Sequence, residues 1–549
     1  MSLNVSIAQV NPIVGSFKYN NQLILDAISQ AKKEDADVIL FPELVVTGYP
    51  PEDLLFRPAF LKKVENTLEE IAKTVTNITV IIGAPLTIKG KLFNGACVMQ
   101  DGRITQTYTK QHLPNYRVFD EKRYFRRGKE TVVIELAGHK VGLLICEDIW
   151  KEKPAQNAKQ AGAEILFVLN ASPFRSNKTT ERLQLLEQRA SENTLPIVYA
   201  NLVGGQDELV FDGESLAVDC TGQLIFQAPS FESGIFTINI PFEKSMNAIK
   251  PRKQNRLASI YNALVLGVKD YVNKNGFPGV MLGLSGGIDS ALTMAIAVDA
   301  LGAEKVEAIM MPFRYTADIS KLDAAQQAKT QNVKYREIPI EPIFNSFVDT
   351  LSLEFDGLED DVTEENLQAR SRGVILMAMS NKLGKMLLAT GNKSEMAVGY
   401  ATLYGDMAGG YAPLKDVFKI TVYDLARYRN SIGDGDLLSA TGSYKEIIPD
   451  RVITRPPSAE LAPDQVDEDS LPPYEILDAV LRMFIEEFQS VDDIVAQGYE
   501  RETVKRVANL VLLSEYKRRQ SAPGVRISKR AFGKDRRYPI TSHYRWHLD

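Results

Sequence analysis

Gly279-Val280-Met281-Leu282-Gly283-Leu284-Ser285-Gly286-Gly287-Ile288-Asp289-Ser290 is the stretch from which the second half of the chain is read. Residues 279–284 form an apolar run introduced by Gly276-Phe277-Pro278, the pattern of a short buried strand. Ser290–Leu301 then shows apolar residues at helical spacing. A strand, a tight glycine turn and a helix N-terminus together make an anion site, because backbone N–H groups and the helix dipole point at one place. Gly286 and Gly287 let the backbone approach a ligand closely. Ser285 and Ser290 add hydroxyl donors. The Lys-[Ser/Thr] pair of the Walker loop is absent, so this is a different phosphate cradle.

The rest of the 549 residues must then supply more than one domain. Hydrophobic residues make up 44% and charged residues 24%, as in ordinary globular proteins. A net charge of −6, with Lys and Arg spread along the chain, argues against a nucleic-acid partner. No apolar stretch approaches the roughly 20 residues that cross a bilayer, so no membrane partner is expected. Met1–Ala8 reads as a first strand and not a signal peptide. Three cysteines, Cys97, Cys146 and Cys220, form no disulfide framework and suit a reducing cytoplasm. Four histidines without ligand spacing make a zinc site unexpected.

Upstream, short β-branched runs alternate with helical patterns. Val38–Leu44, Val80–Gly83, Val132–Leu136, Lys140–Cys146, Ile165–Asn170 and Ile197–Leu202 read as strands, and Lys178–Asn193 as a helix. Gly138-His139 suggests a hairpin turn leading into Cys146. A break near Pro241–Ser245 and a polar stretch containing Pro251 place domains at 1–245 and 259–549, with a linker at 246–258. Leu257–Asn273 reads as a helix. Two acidic loops, Asp356–Glu365 and Asp464–Asp469, read as solvated surface or as lids near a phosphate site.

Cys146 lies in Leu143-Leu144-Ile145-Cys146-Glu147-Asp148-Ile149-Trp150, where an apolar run ends and polar residues begin. That position suits a thiol at a pocket rim as well as a core cysteine. Glu43 closes Ile39-Leu40-Phe41-Pro42-Glu43, and Lys110 precedes a turn in Tyr108-Thr109-Lys110-Gln111-His112-Leu113-Pro114. In the order Glu43, Lys110, Cys146, and with the opening Ile7-Ala8-Gln9-Val10-Asn11-Pro12-Ile13-Val14-Gly15, the first half resembles the nitrilase, or carbon–nitrogen hydrolase, superfamily. The resemblance implies an α-β-β-α sandwich and a thiol amidase acting on L-glutamine. A thiol with a free pKa of about 8.5 needs a base, here Glu43. Lys110 would help hold the oxyanion. By the same resemblance Tyr116, Ser172 and Lys178 would hold the glutamine. Cys97 and Cys220 read as packing residues.

The Ser285–Ser290 loop resembles that of the ATP pyrophosphatases, which cleave ATP to AMP and pyrophosphate. This implies a doubly wound parallel sheet of the adenine nucleotide alpha hydrolase type. It also implies that Gly283, Leu284, Ser285, Gly286, Gly287, Ile288, Asp289 and Ser290 bind ATP. Asp289 is suited to holding Mg²⁺ against phosphates. A strand-like run, Lys385–Ala389, leads into Thr390-Gly391-Asn392-Lys393-Ser394-Glu395. There the resemblance gives Thr390 to ATP and Glu395 to the magnesium and the second substrate.

Further segments resemble the NAD synthetase family. They are Asn366-Leu367-Gln368-Ala369-Arg370-Ser371-Arg372, Tyr404–Val417, Arg455-Pro456-Pro457-Ser458-Ala459-Glu460-Leu461, Leu471–Glu475 and Glu515–Arg519. The resemblance implies that Asn366 or Arg370, with Lys517, contacts deamido-NAD, and that Lys415 and Ser458 contact ATP. Ser458 stands where single-domain relatives carry Thr, and Tyr516 stands where they carry His, which leaves the part of Tyr516 open. The implied reaction joins ammonia from glutamine to a carboxylate activated as an adenylate, in a homo-oligomer. Two alternatives stay open: another amidotransferase of the same class, and an ammonia-only synthetase with a non-catalytic front half.

Overall fold

The computed structural model describes residues 2–243, 247–252, 255–433, 445–463 and 465–544. The chain divides into two compact units, Met1–Lys253 and Gln254–Asp549. Ser245, where the first domain is expected to end, lies outside the described residues.

The first unit is built from two six-stranded sheets. One runs in the order Gly234–Pro241, Ser2–Gln9, Val38–Leu40, Thr79–Ile88, Lys91–Gln100, Arg103–Thr109. The other runs Leu224–Gln227, Leu216–Val218, Ile197–Asn201, Ile165–Asn170, His139–Ile145, Val133–Leu136. Period-two alternation decides which side each residue faces. Val5, Ile7, Val38, Leu40 and Ile81 enter one core with Leu144, Phe167 and Val198 of the other sheet. Ala8, Ile39, Val80 and Ile82 face the opposite way, onto Ile24, Ile28, Val64 and Leu68 of the helices Phe17–Lys33 and Pro58–Thr74. Leu186 and Ala190 of the helix Lys178–Asn193 join the core of the second sheet. The result is the expected α-β-β-α sandwich.

Two predicted strands end earlier than their apolar runs suggest. The run Val38–Leu44 pairs only through Leu40. Pro42 has no N–H to give a ladder, and Leu44 turns to a φ of 50°. The strand His139–Ile145 stops one residue short of Cys146. The expected hairpin before it is present: Leu136 pairs with His139, and Ala137 and Gly138 both have positive φ.

The second unit centres on a parallel sheet in the order Lys334–Glu337, Val306–Met310, Val280–Gly283, Met386–Leu388. Helices cover both faces, as a parallel sheet requires. Ile288–Leu301 packs against Val280–Gly283 and Val306–Met310. On the other side Leu376 of the helix Val362–Leu383 joins Met281, Ile309 and Leu387. Strand order reverses between Val280–Gly283 and Met386–Leu388, and such a switch point opens a crevice at the carboxyl ends of the strands. Among the described residues no helix is long and apolar enough to cross a membrane.

The first acidic loop is solvated, with residues 356–362 all exposed, and the second departs from that reading at Asp467. Asp361 and Glu364 form the capping box that starts the helix Val362–Leu383. Asp467 is buried and accepts the Tyr474 hydroxyl at 2.8 Å. Asp464 lies outside the described residues.

Candidate active sites

Cys146 leaves the second sheet at a sharp turn. Its φ of 47° and ψ of −98° are costly for a residue with a Cβ, and its N–H is held by the Leu169 carbonyl at 2.9 Å. The turn is braced by Asp148. One carboxylate oxygen takes the N–H groups of Gln111 and His112 at 3.0 and 2.8 Å; the other takes the Tyr108 hydroxyl at 2.7 Å and the Ile145 N–H at 3.2 Å. One buried carboxylate thereby ties the cysteine turn to the segment that carries Lys110.

Glu43 and Lys110 are fully buried and paired at 2.6 Å. Lys110 has a second partner that sequence reading missed, Glu121 at 2.8 Å. The cluster is closed by Asn94 on Glu43 at 2.7 Å, the Ala171 N–H on Glu43 at 3.1 Å, and the Tyr49 hydroxyl on Glu121 at 3.2 Å. Burial alone would depress Lys110, but Glu121 and Glu43 outweigh it and hold the ammonium well above its ordinary range. Burial, opposed by Lys110 and helped by Glu43, lifts Glu121 to about 7. The Cys146 thiol is pushed well up by burial and then by Glu43, against the pull of Lys110. The sulfur thus lies within the electrostatic reach of both groups named with it. It is protonated at rest.

The helix Glu147–Trp150 directly after Cys146 collects two of the three expected glutamine residues. Tyr116 donates to Glu147 at 2.7 Å, and the Lys178 ammonium sits 3.9 Å from the centre of the Trp150 ring. Burial, then Arg182 and Arg175, brings Lys178 down to about 8. Ser172 is buried, and its hydroxyl accepts from Arg182 at 3.1 Å.

In the second unit one cavity of about 280 Å³ occupies the crevice at the carboxyl ends of the strands. Gly283, Leu284, Ser285, Gly287, Ile288, Asp289 and Ser290 line it, with Thr390, Glu395 and Ser458. The loop is prearranged: the Ser290 hydroxyl donates to the Gly287 carbonyl at 3.0 Å, and the Gly287 N–H donates to the Ser285 hydroxyl at 3.2 Å. Gly286 is not in the lining. Its φ of +81° favours glycine, and a Cβ there would meet the Ser320 carbonyl oxygen at 2.3 Å. Ser458 bonds the Gln465 carbonyl and receives the Glu460 N–H at 3.1 Å.

Asp289 and Glu395 converge on one cation, the Lys419 ammonium, at 2.6 and 3.0 Å. Burial, partly offset by Lys419, lifts Glu395 to about 8. Lys415, the lysine expected here, instead donates to the Ala522 carbonyl at 2.7 Å and lines a smaller cavity with Glu395 and Asp406. The sequence offers both lysines in Lys415-Asp416-Val417-Phe418-Lys419, and only their orientation separates them. Arg372 and Arg455 also line the larger cavity and were not anticipated. Burial brings Arg372 down to about 10, and Arg455 donates to the Gly286 carbonyl at 3.1 Å.

Asn366, Arg370 and Lys517 line neither cavity. Asn366 accepts from Thr402 at 3.0 Å, Arg370 donates to the Leu403 carbonyl at 3.4 Å, and Lys517 donates to the carbonyls of Gly399 and Ala401 at 2.8 and 2.7 Å.

A buried thiol, carboxylate and ammonium in an α-β-β-α sandwich, followed by a phosphate-type loop at a switch point, define a carbon–nitrogen hydrolase joined to a synthase. The carbon–nitrogen hydrolase family model matches residues 4–249 and the NAD synthase model residues 260–521. The chain belongs to the family of glutamine-dependent NAD(+) synthetases. It is 49% identical over 547 residues to the glutamine-dependent NAD(+) synthetase of Acinetobacter baylyi, covering 99% of each chain. It is 42% identical to that of Thermotoga maritima, again covering 99% of each. The solved structure of the Acinetobacter baumannii enzyme in complex with adenosine diphosphate is 46% identical, covers 98% of each chain and superposes with a TM-score of 0.79.

The geometry makes Glu121 a positioning group for Lys110. Glu121→Gln should lower kcat for glutamine hydrolysis by about 100-fold, with a smaller change in KM, as expected when a reacting cluster is displaced by about an ångström. Glutamate release from the variant, followed against pH, checks this.

Proposed function

We propose that the chain makes NAD from deamido-NAD, ATP and L-glutamine, with Cys146 releasing the nitrogen and the Gly283–Ser290 loop holding the ATP. The carrying observation is that Cys146, Glu43 and Lys110 are buried together, with Glu43 and Lys110 close enough to act on the thiol. Glu43 takes the thiol proton as sulfur attacks the carboxamide carbon, while the Lys110 ammonium faces the developing oxyanion. The proton passes from Glu43 to the departing nitrogen, ammonia leaves, and a thioester remains on Cys146 until water hydrolyses it to glutamate.

In the second unit the deamido-NAD carboxylate displaces pyrophosphate from the α-phosphorus of ATP, forming an adenylate. Ammonia then attacks the acyl carbon and AMP leaves. Serine hydroxyls and the N–H groups of the loop, with Lys419, Arg372 and Arg455 in the cavity wall, face the phosphates. Asp289 and Glu395 suit Mg²⁺: both are carboxylates, and they already share one cation. Bound there, the metal would offset charge growing on pyrophosphate. Free ammonia is mostly ammonium at neutral pH and is then no nucleophile, which is the chemical reason for a glutaminase in the same chain.

Asn366 and Arg370 stand outside both cavities on the helix Val362–Leu383, which also exposes Val374 and Met377 to 58% and 39%. We read this face as the contact between two copies, where the dinucleotide residues are completed. Val374→Asp should therefore shift the mass seen by light scattering toward a single chain.

Cys146→Ala should abolish NAD formation from glutamine and retain it from ammonium salts. Asp289→Ala should abolish both. Loss of ammonia-dependent synthesis in a folded Cys146→Ala chain would contradict the division of labour. Lys178 supplies a pH test. It is charged below about 8 and neutral above, so a role in holding the glutamine carboxylate requires KM for glutamine to rise by about tenfold between pH 7 and 9. Lys178→Met should raise KM and flatten that dependence.

A further inference from the structure

Lys419 is the first residue of the helix Lys419–Ile432, and its backbone N–H is anchored on the Ser394 hydroxyl at 2.9 Å. Its side chain is buried, with 3% of its surface exposed, and the ammonium lies 2.6 Å from Asp289 Oδ2 and 3.0 Å from Glu395 Oε1. These are the two carboxylates read above as the magnesium pair, and all three side chains line one cavity. An ammonium and a divalent cation cannot share that position, since both need the same oxygens and they repel each other.

We propose that Lys419 is a resident stand-in for the metal: it neutralises Asp289 and Glu395 until nucleotide arrives, and Mg²⁺ gains the pair only when the ammonium has moved to a phosphate. The inference rests on the magnesium-dependent reading of this site. Two neighbouring, mostly buried carboxylates repel each other and are poorly solvated, which favours a cation between them. The four-carbon stem of lysine lets its charge travel without backbone movement. The Ser285–Ser290 loop in the same cavity is where an incoming triphosphate would offer that charge a new partner. The exchange balances: the ammonium trades carboxylates for phosphate, and the metal takes the carboxylates.

The pair is held in place for this exchange by groups other than the lysine. The Asn392 amide donates to Asp289 Oδ1 at 2.8 Å, and the Asn392 N–H lies 3.4 Å from Glu395 Oε2. When Lys419 departs, both carboxylates therefore stay aimed at the vacated point. Lys110 in the first unit differs on this count: its side chain is wholly inaccessible.

The order of binding follows: metal enters with nucleotide and not ahead of it. Mn²⁺ binding to the full chain, read from the electron paramagnetic resonance signal of the free ion, tests this with and without a non-hydrolysable ATP analogue. Without nucleotide, Lys419→Met and Lys419→Gln should bind Mn²⁺ at least tenfold more tightly than the unaltered chain, and Mn²⁺ alone should raise their melting temperature. Lys419→Arg, which keeps the cation, should show no such gain. Equal Mn²⁺ affinity in the unaltered chain and in both neutral variants overturns the stand-in role. If Asp289→Asn also leaves Mn²⁺ binding unchanged with nucleotide present, the metal pair itself is misassigned, and the proposal falls with it.

Discussion

A lysine ammonium buried between two carboxylates is the interaction on which each unit depends. In the first, Lys110 lies 2.6 Å from Glu43 and 2.8 Å from Glu121. In the second, Lys419 lies 2.6 Å from Asp289 and 3.0 Å from Glu395. A buried charge is tolerated only when it is paired and its remaining donors and acceptors are satisfied. Neither triad contributes clearly to stability, because desolvating three ions costs about as much as their attraction returns. What each gains is position. Removing the lysine leaves two buried carboxylates facing each other without a cation, so the arrangement is fixed within narrow limits, as the chemistry requires.

The two triads serve different ends because their surroundings differ. Around Lys110 the second partners are protein groups: Asn94, Tyr49 and the Ala171 backbone. These groups enclose the ammonium, which supplies a positive field beside a strained cysteine. The strain at Cys146 is carried by Asp148, whose hydrogen bonds hold the turn and the Lys110 segment together. Lys419 instead borders a cavity lined by serine hydroxyls and backbone N–H groups, where an anion would compete for its charge.

Much of this was legible before any coordinates. The apolar alternation of the first half and the strand–glycine–helix unit at Val280–Leu301 carried the layers and the switch point, because period and turn chemistry are local properties. Glu43, Lys110 and Cys146 stand at or near the ends of apolar runs, but it is the resemblance to the carbon–nitrogen hydrolases that groups them. Glu121 was not, since Asp120-Glu121-Lys122 looks like any solvated turn, and only the packing of Tyr49 and Asn94 around it makes it a buried acid. Asp467 was missed for the same reason, within a loop whose charge density suggested solvent.

Lys415 and Lys419 show where one-dimensional reading stops. The two are four residues apart, so helical spacing would put them on one face. The helix, however, begins at Lys419, with Phe418 extended at φ −65° and ψ 150°. Lys415 precedes that start, and its ammonium turns to the Ala522 carbonyl, whereas Lys419 opens the helix against Asp289. Which lysine meets the phosphate loop is therefore decided by where the backbone changes conformation. Residue type and spacing, the same for both, could not decide it.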